Sequence, residues 1–364
     1  MAINYDTKQA IGSELWACGG FPDDPYGKYG TPRLNSLTKL SATKDWTSVS
    51  TGRYSSLALN TGGSLFGLGR NWAGQLGVGD TGVRNQAVLI GSDSDWANVS
   101  SGYRVSSAIK TDGSLWTWGA NPYGQLGHGD DEFDKTIPTR VGGLNDWRRL
   151  SVGYMHIMAL KTDGTLWTWG RNNVGQLGDG STILKPRPIQ VGVDADWKDI
   201  SAGEDNSMAV KTDGTLWSWG DNTYGLLGFG NQVGSRIPAQ VGTDTNWGVV
   251  SAGRRHAMAI KIDGTLWACG SNAYGALGTG EEPENLTLSF VQVGLASDWA
   301  RVSSGANHTI ALKEDGTFWS WGSNFYGQLG QGDFISRTSP TQIGVLTTWA
   351  CISAGRTHTA ALLV

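Results

Sequence analysis

Residues Lys161 to Ser181 read KTDGTLWTWGRNNVGQLGDGS, and Lys211 to Gly228 read KTDGTLWSWGDNTYGLLG. One motif returning at a fixed interval makes the repeat the first thing to count, because a missed period mis-assigns the whole fold. Aligned on the leucine of GTLW, the copies fall at Leu15, Leu65, Leu115, Leu166, Leu216, Leu266 and Phe318. A second column holds Trp46, Trp96, Trp147, Trp197, Trp247, Trp299 and Trp349, and a third holds Gly52, Gly102, Gly153, Gly203, Gly253, Gly305 and Gly355. Three columns agree on seven copies of about fifty residues.

Within residues 138–170 the runs PTRVG, DWRRLSVG, HIMALK and TLWTWG are rich in β-branched and aromatic residues and bounded by Gly, Asp and Pro, which reads as four strands. The TDG between the last two (Asp112–Gly113, Asp163–Gly164, Asp213–Gly214, Asp263–Gly264, Asp315–Gly316) predicts a two-residue hairpin with positive φ at both residues. Those aspartates are turn formers, not catalytic carboxylates. Trp167 and Trp169 are two apart on a strand, so they share a face and are expected to pack on the next copy. Seven four-stranded sheets predict an all-β, seven-bladed β-propeller occupying residues 1–364 as one domain. The last copy, WACISAGRTHTAALLV, lacks a GTLW strand, so the N-terminal LWACG strand is expected to complete its sheet and close the ring.

The pattern in GYMHIMALKTDGTLWTWGRNNVGQLGDG, Gly153 to Gly180, resembles the repeat of the regulator of chromosome condensation family. The likeness runs over nearly the whole chain; only the first copy departs, with GGFPDDPYGKYG from Gly19 in place of GxNxxGQLGxG. The resemblance implies the same seven-bladed propeller, and the regular repeats without added tails or inserts read as a divergent, bacterial or phage member. For function it implies less, since one fold hosts many roles. The founding member exchanges nucleotide on a nuclear small GTPase and docks on nucleosomes through an inserted wedge and a basic N-terminal tail. The repeat steps here leave room for at most two extra residues, and the first ten residues carry only Lys8 as a base. The GWRHT motif of the family's plant ultraviolet-B receptor is absent: the matching stretches read GRYSS, GYRVS, GYMHI, GEDNS, GRRHA, GANHT and GRTHT. A secreted propeller of related architecture inhibits β-lactamases through an aromatic face.

Composition narrows the partner. The 54 glycines and 18 tryptophans suit turns and strands, and a net charge of −4 offers no general attraction for phosphate backbones or anionic lipid, so no nucleic acid is expected. No run approaches the roughly 20 apolar residues of a membrane helix, and the N-terminus has no leader-like apolar region; both fit the cytoplasm or assembly into a virion. Cys18 and Cys269 share a repeat position held elsewhere by Trp or Leu and read as buried thiols, whereas Cys351 reads as the more exposed one.

Antiparallel strands in sequence put the GxxH loops and the GxNxxGQLGxG loops on one face and the TDG and VG…DW turns on the other. The GxxH loops vary from copy to copy, and variable loops on a constant scaffold are where binding sits. They supply the candidate partner-binding face: Arg53, Tyr54, Tyr103, Arg104, Tyr154, Glu204, Asp205, Arg254, Arg255 and Arg356. His156, His256, His308 and His358 share one column but belong to different blades, so they read as packed turn histidines and not as a zinc site. The GQLGDG loops lack the Lys-Ser/Thr ending and strand-to-helix setting of a phosphate loop, and their asparagines (Asn71, Asn121, Asn172, Asn222, Asn272, Asn324) are expected to bond local backbone. The acidic stretches Asp130–Asp134 and Glu281–Glu284 read as solvated charge. With no nucleophile and base in view, no catalytic residues, no cofactor and no metal are assigned. The function expected is non-catalytic binding of a protein, or a glycan receptor, through the loop face. A virion, tail or cell-surface component that recognises a receptor is the alternative, followed by a guanine-nucleotide exchange factor or enzyme inhibitor.

Overall fold

The structure, a computed structural model, describes residues 12–20, 33–41, 43–129, 133–281 and 285–364. It contains seven four-stranded antiparallel sheets and, among the described residues, no α-helix. One representative sheet runs from the innermost strand Trp147–Val152 through His156–Lys161 and Leu166–Gly170 to the outer strand Lys185–Gln190. The seventh sheet is composite. Trp349–Ala354 and His358–Leu363 from the C-terminus pair with Glu14–Gly19 and Leu34–Lys39 from the N-terminus, with Leu15 opposite Leu362. The ring therefore closes as the sequence implies, with two N-terminal strands supplied instead of one.

Three details differ from the sequence reading. PTRVG belongs to the preceding sheet, because Lys135–Arg140 returns antiparallel onto Leu115–Gly119 with Thr139 opposite Thr117. The loop after each WG strand thus folds back within its own blade, and the axis-facing strand is the DW strand. The TDG turns carry positive φ at the glycine alone: Gly113 is at 80° while Asp112 is not in that region. Gly113 N–H bonds the Lys110 carbonyl at 2.9 Å, a type I turn followed by a left-handed glycine. Asp163 Oδ1 then accepts from Thr165 N–H and Oγ1 at 2.9 and 2.7 Å, confirming the turn role.

The third difference is the direction of tryptophan packing. Trp169 is fully buried against the preceding blade, where its Nε1 donates to the Gln125 carbonyl at 3.0 Å; Trp118, Trp219 and Trp321 repeat this on Gln75, Gln176 and Ala276. Val105, Ile109 and Leu126 of one blade share a core with Trp147, Leu150 and Trp169 of the next. Burying a tryptophan removes about 150–250 Å² from water, so these side chains carry much of the adhesion between blades. Cys18 and Cys269 are buried in the same column and Cys351 is half-buried.

Around the axis the blades are joined by hydrogen bonds as well. Ser50 Oγ accepts from Ser101 N–H, Ser100 from Val152, Ser151 from Ala202, Ser201 from Ala252, Ser251 from Ser304, Ser303 from Ala354 and Ser353 from Thr51, at 2.8–3.0 Å. The column glycines lie immediately above. A Cβ on any of the seven would fall under 3.0 Å from the carbonyl oxygen of the next glycine around the ring, from Gly52 to Gly355 and back. None needs a positive φ; the requirement is close approach of neighbouring backbones.

Gly102→Ala is therefore expected to destabilise by about 2–3 kcal/mol through overpacking. Ser100→Ala should lose about 1–2 kcal/mol by stranding the Val152 N–H. Gly143→Ala, at a glycine with nothing within 4 Å of the added atom, should be near neutral. Melting temperatures of the three variants check this, and equal behaviour of Gly102→Ala and Gly143→Ala would remove the collar argument.

Candidate functional site

The loops split between the faces as the strand order requires. Each GxxH loop hydrogen-bonds the start of the loop after its own third strand: Arg70 N–H donates to the Tyr54 carbonyl and Arg171 N–H to that of Met155, both at 2.9 Å. The TDG turns meet the DW turns on the opposite face, with Thr162 N–H on the Asp146 carbonyl at 2.8 Å.

All ten residues of the expected binding face are half-buried, and seven of the loops converge on a cavity of about 130 Å³ at the mouth of the axial channel. On one side the aromatic residues form a continuous array. Tyr103 and Tyr154 stack at 4.3 Å with 7° between planes, and Tyr54 lies 6.4 Å from Tyr103. The Arg53 guanidinium sits 4.5 Å from the Tyr103 ring and 5.2 and 5.5 Å from Tyr54 and Tyr154, while its Nη1 donates to the Tyr154 hydroxyl at 3.0 Å. Arg356 Nη1 donates to the Tyr54 hydroxyl at 2.6 Å, and Arg104 lies over Tyr103 at 4.9 Å. Cations over aromatic faces gain about 0.5–2 kcal/mol each and stay pre-organised. Among the described residues Arg53, Arg104 and Arg356 have no carboxylate within ion-pair distance.

The other side carries both signs of charge and is internally paired. Arg254 Nε bonds Glu204, and Arg171 bonds Asp205 at 3.2 Å. Burial pushes the Asp205 carboxyl above its usual range against the pull of Arg171. Arg255 lies over the Tyr224 ring at 4.8 Å. Six of the ten, Arg53, Tyr103, Tyr154, Glu204, Arg254 and Arg356, line the mouth itself, while Asp205 and Arg255 line a second cavity beside it.

Residues outside that set extend the face. The Arg70 guanidinium lies 4.2 Å from both the Tyr54 and Trp72 rings, Trp72 is 53% exposed, and Tyr274 meets Phe325 edge-on at 5.1 Å. All come from the GxNxxGQLG loops. The signal was available, because the position after the WG glycine varies as freely as the GxxH column: Arg70, Ala120, Arg171, Asp221, Ser271, Ser323.

The loop asparagines behave as expected. Asn172 Oδ1 accepts from Leu177 N–H at 3.0 Å and its Nδ2 donates to the Ile183 carbonyl at 3.1 Å, tying the loop to itself. Of the acidic stretches, residues 130–132 and 282–284 lie outside the described residues, as does most of the divergent first loop; Asp134 accepts from Asn121 N–H at 2.9 Å.

Comparison with known proteins agrees with this geometry. The model of the RCC1-like domain matches residues 146–364, more than half of the sequence, and the regulator of chromosome condensation (RCC1) repeat matches residues 112–160. The chain belongs to the RCC1-like domain family. A crystal structure of Prp20p from Saccharomyces cerevisiae, described with its binding properties to Gsp1p and histones, is similar at a TM-score of 0.85 and 20% identity over 97% of this chain and 92% of that one. Human WBSCR16 gives 0.83 and 20% over 96% and 98%. Yeast RCC1 (Prp20) bound by Kap60 gives 0.86 and 20% over 100% and 92%. At this identity the likeness is one of fold.

Within this RCC1-like propeller the histidine column is structural. His156, His256, His308 and His358 are buried, and each Nε2 meets a hydroxyl of the next blade, on Ser207, Thr309, Thr359 and Ser56, at 2.9–3.2 Å. Burial lowers the pKa to about 3 for His156 and His308 and to about 4 for His256 and His358. Among the described residues no group of three or more His, Cys, Asp or Glu is placed to hold a metal ion.

Because these folded values lie below the roughly 6.5 of an unfolded histidine, the unfolded chain takes up protons first as pH falls. Stability from the four rings is full above about pH 6.5 and is lost towards pH 4, by up to about 1.4 kcal/mol per pH unit for each ring. Replacing two rings with the residue found natively at Asn206, in His256→Asn/His308→Asn, should flatten the fall of melting temperature between pH 6.5 and 4.5. Parallel curves for wild type and variant would show that the histidines are not the acid-sensitive groups.

Proposed function

We propose that this RCC1-like propeller is a non-catalytic interaction module that binds a protein partner through the GxxH face. The observation that carries the reading is the Arg53–Tyr54–Tyr103–Tyr154–Arg356 array. Four blades, distant in sequence, contribute to one stack in which cations lie against aromatic rings without a carboxylate among the described residues to neutralise Arg53, Arg104 or Arg356. Tyr and Arg are enriched where binding energy concentrates, and rigid aromatic groups lose little entropy on docking. The opposite face repeats one arrangement from blade to blade. Its lysines are held between tryptophan rings and paired with aspartates of the same blade region, as in Lys261 with Asp244 and Lys211 with Asp194 and Asp196. The protein partners named for Prp20p, Gsp1p and histones, are in keeping with a propeller face as a protein-binding surface.

Affinity capture with wild type, Arg104→Glu/Arg356→Glu and the opposite-rim Val193→Lys/Leu295→Lys tests the reading. A partner kept by wild type and the rim variant but reduced at least about tenfold by the arginine variant is expected. Loss confined to the rim variant would place binding on the other side. Acceleration of nucleotide release from a captured GTPase would move the role to exchange, and co-purification of both baits with particles would move it to a structural component.

A further inference from the structure

At four blade interfaces a histidine meets a hydroxyl of the next blade. At the interface between the sheets beginning at Trp197 and Trp247 both members differ: Asn206 stands in the histidine column and Ala257 in the hydroxyl column. Asn206 is 1% exposed, and among the described residues neither its Oδ1 nor its Nδ2 has a hydrogen-bond partner. An unsatisfied buried amide costs about 1–3 kcal/mol. Asn206 borders a cavity of about 180 Å³ whose walls also include the carboxylates Glu204, Asp205 and Asp221, the guanidiniums Arg254 and Arg255, and Tyr224 and Leu226.

The charges around it are unequally matched. Glu204 and Asp205 are paired with Arg254 and Arg171. Asp221 has no cation within ion-pair distance among the described residues; one of its oxygens accepts from the Thr223 hydroxyl at 2.6 Å. Arg255 is laid over the Tyr224 ring. The walls present three carboxylates and two guanidiniums, and among the described residues Asp221 is the carboxylate there that no cation meets within ion-pair distance, beside a buried amide whose oxygen is a free acceptor for a multi-donor cation.

We propose that this cavity binds a primary ammonium, the end of a lysine side chain of the partner, with the Asp221 carboxylate as counter-ion and Asn206 Oδ1 as a second acceptor. The inference rests on the GxxH face being the partner-binding one and deepens it by naming what the partner inserts. The ammonium supplies hydrogen-bond donors at an interface where the histidine–hydroxyl pair of the other four is replaced by Asn206 and Ala257.

The test uses the full chain and small probes. In ¹⁵N-TROSY titrations, Nα-acetyl-lysine N-methylamide should shift the Asn206 side-chain amide and the Asp221 backbone signal, and the norleucine analogue, with the same length of stem and no ammonium, should not. Asp221→Asn should weaken the lysine probe about tenfold. Asn206→His/Ala257→Thr rebuilds the histidine–hydroxyl pair of the other interfaces; it should raise the melting temperature and abolish the shifts, so loss of binding is separated from loss of fold. Equal shifts from norleucine, shifts instead from the glutamate analogue, or none from lysine would overturn the proposal; a warmer-melting double variant with no lysine response in wild type would show a cavity that holds solvent only. Capture of the partner by wild type is scored separately, so a failed lysine response with capture intact sinks this site and leaves the binding face standing.

Discussion

Seven serine hydroxyls, each accepting a backbone N–H from the next blade, set the spacing on which the rest of this molecule depends. The series runs from Ser50 to Ser353 and returns to Thr51, so it closes only if the composite blade is in place. Directly above, the glycine collar brings neighbouring backbones too close for any side chain. A hydrogen bond fixes the distance and the missing Cβ permits it. The consequence is that the seven GxxH loops start from a common radius. Only then do rings from separate blades, Tyr103 and Tyr154, reach a 4.3 Å parallel stack.

Much of this was legible in the residues. The period, the four strands per unit, the closure and the face carrying the variable loops all follow from three aligned columns and the antiparallel rule, and none needs knowledge of side-chain geometry. What was not legible depends on how sheets meet. The serines stand two positions before the column glycines and read as ordinary strand residues until the next backbone is seen beside them. The direction in which Trp169 packs is a property of the sheet's handed twist, which a period-two pattern does not carry. Assigning PTRVG to the following sheet came from reading the chain linearly, whereas the hairpin after WG returns to the strand just finished.

The candidate site shows the same limit. Its GxxH members were found because they vary within a column, yet the array they form includes Arg70 and Trp72 from the second loop set, which variation alone also marks. Their joint role rests on a contact between loops, Arg70 N–H on the Tyr54 carbonyl, that brings the guanidinium over the Tyr54 ring. Sequence put the variable loops on one side; the geometry divides them into an aromatic, cationic half and a half of paired opposite charges.

The two faces handle charge in opposite ways. On the TDG side the same solution recurs blade after blade: a lysine lies between two tryptophan rings and its charge is met by aspartate, as at Lys110, Lys161, Lys211, Lys261 and Lys313. A motif that repeats with the scaffold and satisfies its own charges serves the scaffold. On the GxxH side no two loops agree, and charges of one sign accumulate at Arg53, Arg104 and Arg356 while, among the described residues, the Asn206 amide has no hydrogen-bond partner. Such asymmetry contributes nothing to closing the ring. The repeated geometry of the ring and the variety of this rim are thus separate properties of one scaffold.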